Sequence, residues 1–393
     1  MKFDFIFQNP TKIYFGKNAL NNLKPELEKY GKKILLAYGG GSIKTNGIYD
    51  KVVNILKKSD KEIYECNNIL PNPALSKMLE GAKIVKENNI DLILAVGGGS
   101  VIDCAKGISV SAYADGDVFQ RYWINHEELN NKVVPVASIL TMVGTGSEMN
   151  GGSVISDINN KIKADRCFPP HVFPKFSILN PEFTYTIPKY QMVSGIFDIM
   201  SHLMEQYFSG NDDKDSFCNT SDYITEAIFK SLIHSTKIAL NDPTNYEARS
   251  NIMWCATMAL NGIVCLSKEE DWEVHYIEHQ LSAYTNCAHG MGLCAISMPY
   301  YRYIYKYGID KFVRFAKEVW NVKDDGKTKD EIALEGINCL ENFAKECSMI
   351  TNIKDLGATP DMLPKIADSC ILGGGYKKLN REEVLEILKQ SYK

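Results

Sequence analysis

Nowhere in these 393 residues do about 18 apolar residues run together, the length that a membrane-spanning helix requires. The opening MKFDFIFQNP has no long apolar core of the kind that marks a secretory signal. The chain is therefore expected to be soluble and cytoplasmic, with no membrane partner. Basic excess is missing as well: the net charge is −4, which leaves no electrostatic footprint for a nucleic acid, so none is expected as a partner. The eleven cysteines contain no C-x-x-C pair and are odd in number, a pattern of reduced thiols in a reducing compartment and not of a disulfide framework. Cys287 and Cys294, which flank His289, read as small packing residues. Low-complexity tracts and internal repeats are absent, and the run Asn211-Asp212-Asp213-Lys214-Asp215 reads as a solvated loop.

What is present is a globular composition, 45% hydrophobic and 23% charged, on a chain long enough to suggest two domains. Residues 3–15 are rich in β-formers, residues 19–30, 47–59 and 76–88 carry helical patterns, and residues 32–38, 62–66, 90–96 and 134–140 read as strands. This alternation predicts βαβ units on a parallel sheet. Three of the strands end in small residues: Gly39, Gly40, Gly41 and Ser42 after the first, Gly97, Gly98, Gly99 and Ser100 after the third, and the run from Thr141 through Thr145 to Glu148 after the last. Glycines let the backbone approach an anion closely, and free N–H groups at a helix start attract phosphate. Open α/β sheets bind their ligands at such carboxyl ends of strands. Neither G-x-x-x-x-G-K-[ST] nor a strict G-x-G-x-x-G occurs, which disfavours a P-loop kinase or ATPase and departs from the standard dinucleotide fingerprint.

Beyond Ile187-Pro188 the pattern turns helical, over residues 190–208, 216–241, 246–266, 274–284, 308–319, 328–347 and 381–391, which predicts domains of residues 1–184 and 185–393. The stretch DWEVHYIEHQLSAYTNCAHG, residues 271–290, holds three of the seven histidines. His275 and His279 are four apart and share one helix face, as do Asp198 and His202 earlier in the chain. Two imidazoles from the first stretch with the Asp/His pair would make a mixed nitrogen and oxygen site, suited to zinc or iron and not to calcium or magnesium. The same residues also fit H-x-x-E-H through His275, Glu278 and His279, in which two histidines bind zinc and the glutamate activates water. A third reading makes them core histidines of an apolar helix. Trp123, Phe168 and Trp272 read either as the lining of an apolar substrate pocket or as core aromatics.

In their order and spacing, Asn9-Pro10-Thr11, Asn72-Pro73, GGGSVIDCAK at 97–106, GTGSE at 144–148, the Asp198/His202 pair and DWEVHYIEHQLSA through CAHG resemble the iron-containing, group III alcohol dehydrogenases. Within them the chain is most similar to the butanol dehydrogenase branch that reduces aldehydes with NADPH, and the likeness spans nearly its whole length. The resemblance implies an α/β fold: an N-terminal Rossmann-like parallel-sheet domain, then an all-helical metal-binding domain, in a dehydroquinate synthase-like architecture. It implies that Asp198, His202, His275 and His289 bind one divalent metal, Fe²⁺ or Zn²⁺, and that His279 relays a proton. Gly97, Gly98, Gly99, Ser100 and Asp103 match the pyrophosphate loop, Thr141, Thr145 and Lys163 match cofactor-contacting positions, and Asn150 falls near the nicotinamide. NAD-using members carry an Asp in the loop that corresponds to residues 39–42, where an acid holds the ribose and repels a 2′-phosphate. Here no acid follows until Asp50, so Gly39, Gly40, Gly41 and Ser42 are expected to accept NADP(H) in preference to NAD(H). The implied reaction is hydride transfer between NADP(H) and a primary alcohol/aldehyde pair such as butanol/butanal, in a homodimer whose other partners are small molecules. A glycerol dehydrogenase-like polyol oxidoreductase is the alternative, followed by a zinc hydrolase built on His275, Glu278 and His279.

Overall fold

The computed structural model describes residues 4–209 and 220–393, so the acidic run at 211–215 lies outside the described residues. It divides into two compact units, one of residues 8–187 with 243–257 and the other of the remaining described residues. The first is built from β1 (Lys12–Phe15), α1 (Leu23–Leu27), β2 (Lys33–Tyr38), α2 (Ser42–Thr45), α3 (Ile48–Lys58), β3 (Glu62–Cys66), α4 (Leu75–Asn88), β4 (Leu92–Gly97), α5 (Gly99–Ser111), β5 (Val136–Leu140), β6 (Gly152–Asp157), β7 (Ile162–Cys167) and β8 (Phe176–Leu179). Six strands pair in parallel in the order β1-β8-β5-β4-β2-β3, and β6 and β7 form a separate antiparallel hairpin that the sequence pattern did not announce.

The central strands read as continuous apolar runs because both sheet faces are covered. Alternate residues supply the two layers. Leu35, Ile93 and Ala95 pack with Met78 and Val85 of α4 and Ile102 and Ile108 of α5, while Leu36, Leu94 and Ile139 pack with Leu23, Val52 and Leu56 on the other face. Each of these Leu, Ile, Val and Met side chains removed from water contributes about 1.5–3 kcal/mol. The layers hold rigid the strand ends from which the glycine loops project.

The second unit is all helical among its described residues: α6 (Lys189–Tyr207), α7 (Thr220–Asn241), then after α8 (Tyr246–Ala259) come α9 (Glu273–Thr285), α10 (His289–Ile304), α11 (Ile309–Trp320), α12 (Lys329–Glu346), α13 (Met362–Ser369) and α14 (Arg381–Ser391). Capping boxes fix two of the starts, Thr328 with Glu331 for α12 and Asn380 with Glu383 for α14. Aromatic rings fill the centre, with Phe208 stacked on Phe312 at 4.1 Å and set edge to face against Phe315 at 5.2 Å.

Against the expected division of 1–184 and 185–393, the compact units part slightly further along the chain. The break falls between Ile187 and Pro188, and residues 243–257 return to the α/β unit. The cause is specific packing along α8. Arg249 Nε donates to Thr184 Oγ1 at 2.9 Å, Trp254 sets its ring edge on Phe15 at 5.9 Å, and Thr257 Oγ1 donates to Glu148 Oε1 at 2.6 Å. Among the described residues no helix is long and apolar enough to cross a membrane.

Candidate functional site

Helix α6 places Asp198 and His202 one turn apart on its buried face, α9 carries His275, and α10 begins with His289. Asp198 Oδ1 lies 3.5 Å from His202 Nε2, 3.6 Å from His289 Nε2 and 3.9 Å from His275 Nε2. These separations exceed ordinary hydrogen bonds, and both Asp198 Oδ1 and His275 Nε2 are buried without a hydrogen-bond partner. An orphaned buried polar atom costs about 1–3 kcal/mol. A cation among them removes that cost, and the spacing fits one: with metal–ligand bonds of about 2.1 Å, tetrahedral ligand atoms stand roughly 3.4 Å apart. The ligand atoms of Asp198, His275 and His289 all lie within 4.8 Å of one another. His202 is not in that tightest group; it approaches the same carboxylate oxygen and stacks its ring on His275 at 4.9 Å. Three imidazole nitrogens and a carboxylate suit zinc or ferrous iron, so the residues present fit the metal that the sequence implies.

Two carboxylates stand behind the centre: Glu205, which sequence reasoning passed over, and Glu278, which it read only as the water-activating base of the hydrolase alternative. Glu205 Oε2 meets His275 Nδ1 and its Oε1 accepts the His275 backbone N–H at 3.1 Å, while Glu278 Oε2 meets His289 Nδ1. With Nδ1 occupied, each ring presents Nε2 toward Asp198, which fixes tautomer and orientation together. A signal for Glu205 did exist: Asp198, His202 and Glu205 follow one another at spacings of four and three, one face of α6. Burial penalises every charge here, and the neighbours decide the outcome. Burial works to raise Asp198, but His202, His275 and His289 outweigh it and bring the carboxyl to about 2. Burial takes His202 down to about 4 against the pull of Asp198. His275 is equally buried, yet Glu205 and Asp198 lift it to about 10.

Trp272, the residue before α9, holds a positive φ of 62°, a strained backbone for a bulky side chain. Its ring sits edge-on to His275 at 5.2 Å and to His202 at 6.0 Å, walling the imidazoles. Trp123 and Phe168 have a different fate: both are buried in the α/β unit with rings 5.3 Å apart, and Trp123 Nε1 donates to Ser153 O at 2.8 Å, so they are core aromatics. His279 lies one turn beyond His275, buried, its ring 5.8 Å from that of His289. Glu278 is fully buried with its carboxylate on His289, which removes it as a water-activating base. The H-x-x-E-H hydrolase reading is corrected on that ground.

In the α/β unit the loops at residues 97–100 and 141–148 are joined, with Thr141 N donating to Gly97 O at 3.0 Å. A Cβ on Gly99 would fall 2.3 Å from Thr145 Cγ2, so only glycine allows this contact. Lys106, which sequence reasoning passed over, is the buried pin: its ammonium donates to Ser147 O at 3.1 Å, Asn150 O at 3.2 Å and Asn150 Oδ1 at 3.3 Å. Asp103 accepts from Ser147 Oγ and from Val154 N, the latter at 3.0 Å, and Asn150 Nδ2 donates to Gly146 O at 2.9 Å. Asp103 and Asn150, expected as cofactor contacts, thus commit these atoms to shaping the loops, while Gly98, Gly99, Ser100, Thr141 and Thr145 remain partly exposed. Lys163 is buried on β7, opposite Ser156. Gly39, Gly40, Gly41 and Ser42 join β2 to α2, beside the end of β3, where Asn68 N donates to Gly39 O at 3.3 Å and Ile69 N to Tyr38 O at 3.2 Å.

Comparison with known proteins agrees with this chemistry. The iron-containing alcohol dehydrogenase family model matches residues 10–181, and the model for the C-terminal part of the Fe-containing alcohol dehydrogenase family matches residues 192–392. The NADH-dependent butanol dehydrogenase A of Clostridium acetobutylicum is 39% identical, over 99% of both chains. The NADPH-dependent aldehyde reductase YqhD of Escherichia coli is 33% identical over 92% of both. The crystal structure of NADH-dependent butanol dehydrogenase A from Thermotoga maritima superposes with a TM-score of 0.93 at 36% identity, covering 99% of each chain. The chain belongs to the iron-containing alcohol dehydrogenase family and is an NAD(P)-dependent oxidoreductase of alcohols and aldehydes.

Proposed function

We propose that this protein interconverts a primary alcohol and its aldehyde, such as butanol and butanal, using NADP(H) in preference to NAD(H) and one Fe²⁺ or Zn²⁺. The observation that carries the reading is Asp198 Oδ1, buried without a hydrogen-bond partner among three imidazole Nε2 atoms. Asp198, His202, His275 and His289 are the residues that hold the metal. When bound, the metal supplies Lewis-acid polarisation of the substrate oxygen and the nicotinamide supplies or accepts the hydride. Glu205 and Glu278 keep His275 and His289 facing inward, and Trp272 walls the imidazoles off from water. His279 holds the proton that the substrate oxygen gains on reduction, and returns it on oxidation.

Support for NADP(H) comes from the loop at Gly39, Gly40, Gly41 and Ser42, which holds no acid of its own to repel a 2′-phosphate. The relatives include enzymes named for either cofactor, so the preference belongs to this reading alone. Gly97, Gly98, Gly99, Ser100, Thr141 and Thr145 take the pyrophosphate side of the cofactor, on a platform shaped by Asp103, Asn150 and Lys106, with Lys163 as a further contact. A cytoplasmic homodimer completes the proposal, supported by the absence of any C-x-x-C pair among the eleven cysteines and by the exposed apolar run Phe5-Ile6-Phe7. The test is the initial rate of NADPH and of NADH consumption with butanal, beside a polyol substrate. Faster turnover with NADPH and butanal, lost in His275→Ala, is the expected result. Turnover with the polyol alone would replace the substrate class.

A further inference from the structure

The rule that an acid after an early strand holds the cofactor ribose fails in the sequence, because residues 39–42 contain none. The fold nevertheless brings one there. Glu65 lies near the end of β3, which pairs with β2, and the chain just beyond it is hydrogen-bonded to Tyr38 and Gly39. Its carboxylate is engaged: Oε2 accepts from Tyr38 Oη at 2.6 Å and Oε1 accepts from Tyr49 Oη. Tyr38 immediately precedes Gly39, and Tyr49 lies on α3. The two rings stand 5.5 Å apart at 60°, and over both of them sits the Lys44 ammonium, 5.1 Å from the Tyr38 centroid and 4.6 Å from that of Tyr49. Lys44 shares the short helix α2 with Ser42.

This arrangement sets a cation beside the acid and offsets its charge. The carboxylate that would repel a phosphate is capped by two hydroxyls, and hydroxyls donating to a carboxylate leave their rings richer in electrons and better able to hold a cation. The flexible lysine stem is thereby given a fixed station beside the loop. We propose that Lys44, held by Tyr38 and Tyr49 on Glu65, is the residue that discriminates NADPH from NADH, its ammonium meeting the 2′-phosphate next to Ser42. The inference rests on the reading that residues 39–42 receive the cofactor ribose. A hydrogen bond between charged partners is stronger than one to a neutral hydroxyl by enough to change affinity on the order of tenfold or more. NADH offers only the hydroxyl.

The experiment is fluorescence titration of the full-length protein with NADPH and with NADH, for the wild type, Lys44→Gln, Lys44→Arg and Tyr49→Leu. Lys44→Gln is expected to lower the NADPH-to-NADH affinity ratio about tenfold, Lys44→Arg to keep most of it, and Tyr49→Leu to lose part of it by freeing the lysine. A ratio unchanged in Lys44→Gln, with both cofactors still bound, overturns the assignment of Lys44 and leaves the nucleotide-binding reading standing. Failure of the wild type to bind either cofactor overturns both.

Discussion

His275 and His289 are each gripped at Nδ1 by a buried carboxylate, while His202 Nδ1 is buried with no hydrogen-bond partner. The centre therefore has two oriented imidazoles and one that depends on its neighbours. Partners of this kind are commonly worth about 10–100-fold in metal affinity. Glu205→Gln, which keeps the shape and loses the charge, is predicted to weaken Zn²⁺ binding by about that factor in competition with a chromogenic chelator; wild-type affinity would show that Glu205 is a packing residue. The proposed ligands drew notice in the sequence because chemistry at a metal constrains residue type and helical spacing together. Glu205 was missed even though its spacing was on display, because a carboxylate that touches a ligand and not the metal belongs to no motif. Glu65 was out of reach altogether: only strand pairing brings it to the Gly39 loop.

At the level of elements, alternation of apolar runs and glycine turns marked the parallel sheet well, since its central strands are compact apolar blocks buried on both faces. Several elements escaped, among them β8, α13, the β6–β7 hairpin and α10. The β6–β7 hairpin follows the GTGSE loop with few turn signals, and α10 opens with two glycines and contains Pro299, residues that weaken a helical pattern. Yet α10 positions His289, and it does so by close approach: a Cβ on Gly290 would lie 1.9 Å from the Ser194 carbonyl oxygen on α6. The glycine that hides the helix from sequence reading is the one that lets it reach the helix bearing Asp198 and His202. Gly290→Ala is predicted to destabilise the protein by about 3 kcal/mol and to lower metal affinity in the molecules that do fold. Thermal unfolding with and without Zn²⁺ checks this, and a melting curve matching the wild type would contradict the packing argument.

For the whole molecule, length and the change from alternating to helical patterns anticipated two units, but not that residues 243–257 return to the first of them. That return depends on Arg249, Trp254 and Thr257 finding partners far away in sequence, which no local pattern encodes. The proposed metal ligands belong to one unit and the glycine loops to the other, and activity is expected to depend on the metal held by Asp198 and its three imidazoles. The measurement that tests this most directly is the rate of NADPH oxidation with butanal before chelation, after it, and after Fe²⁺ or Zn²⁺ is restored. Loss on stripping and recovery with one of the two metals is the predicted result. A full rate in protein shown by elemental analysis to be metal-free would contradict it.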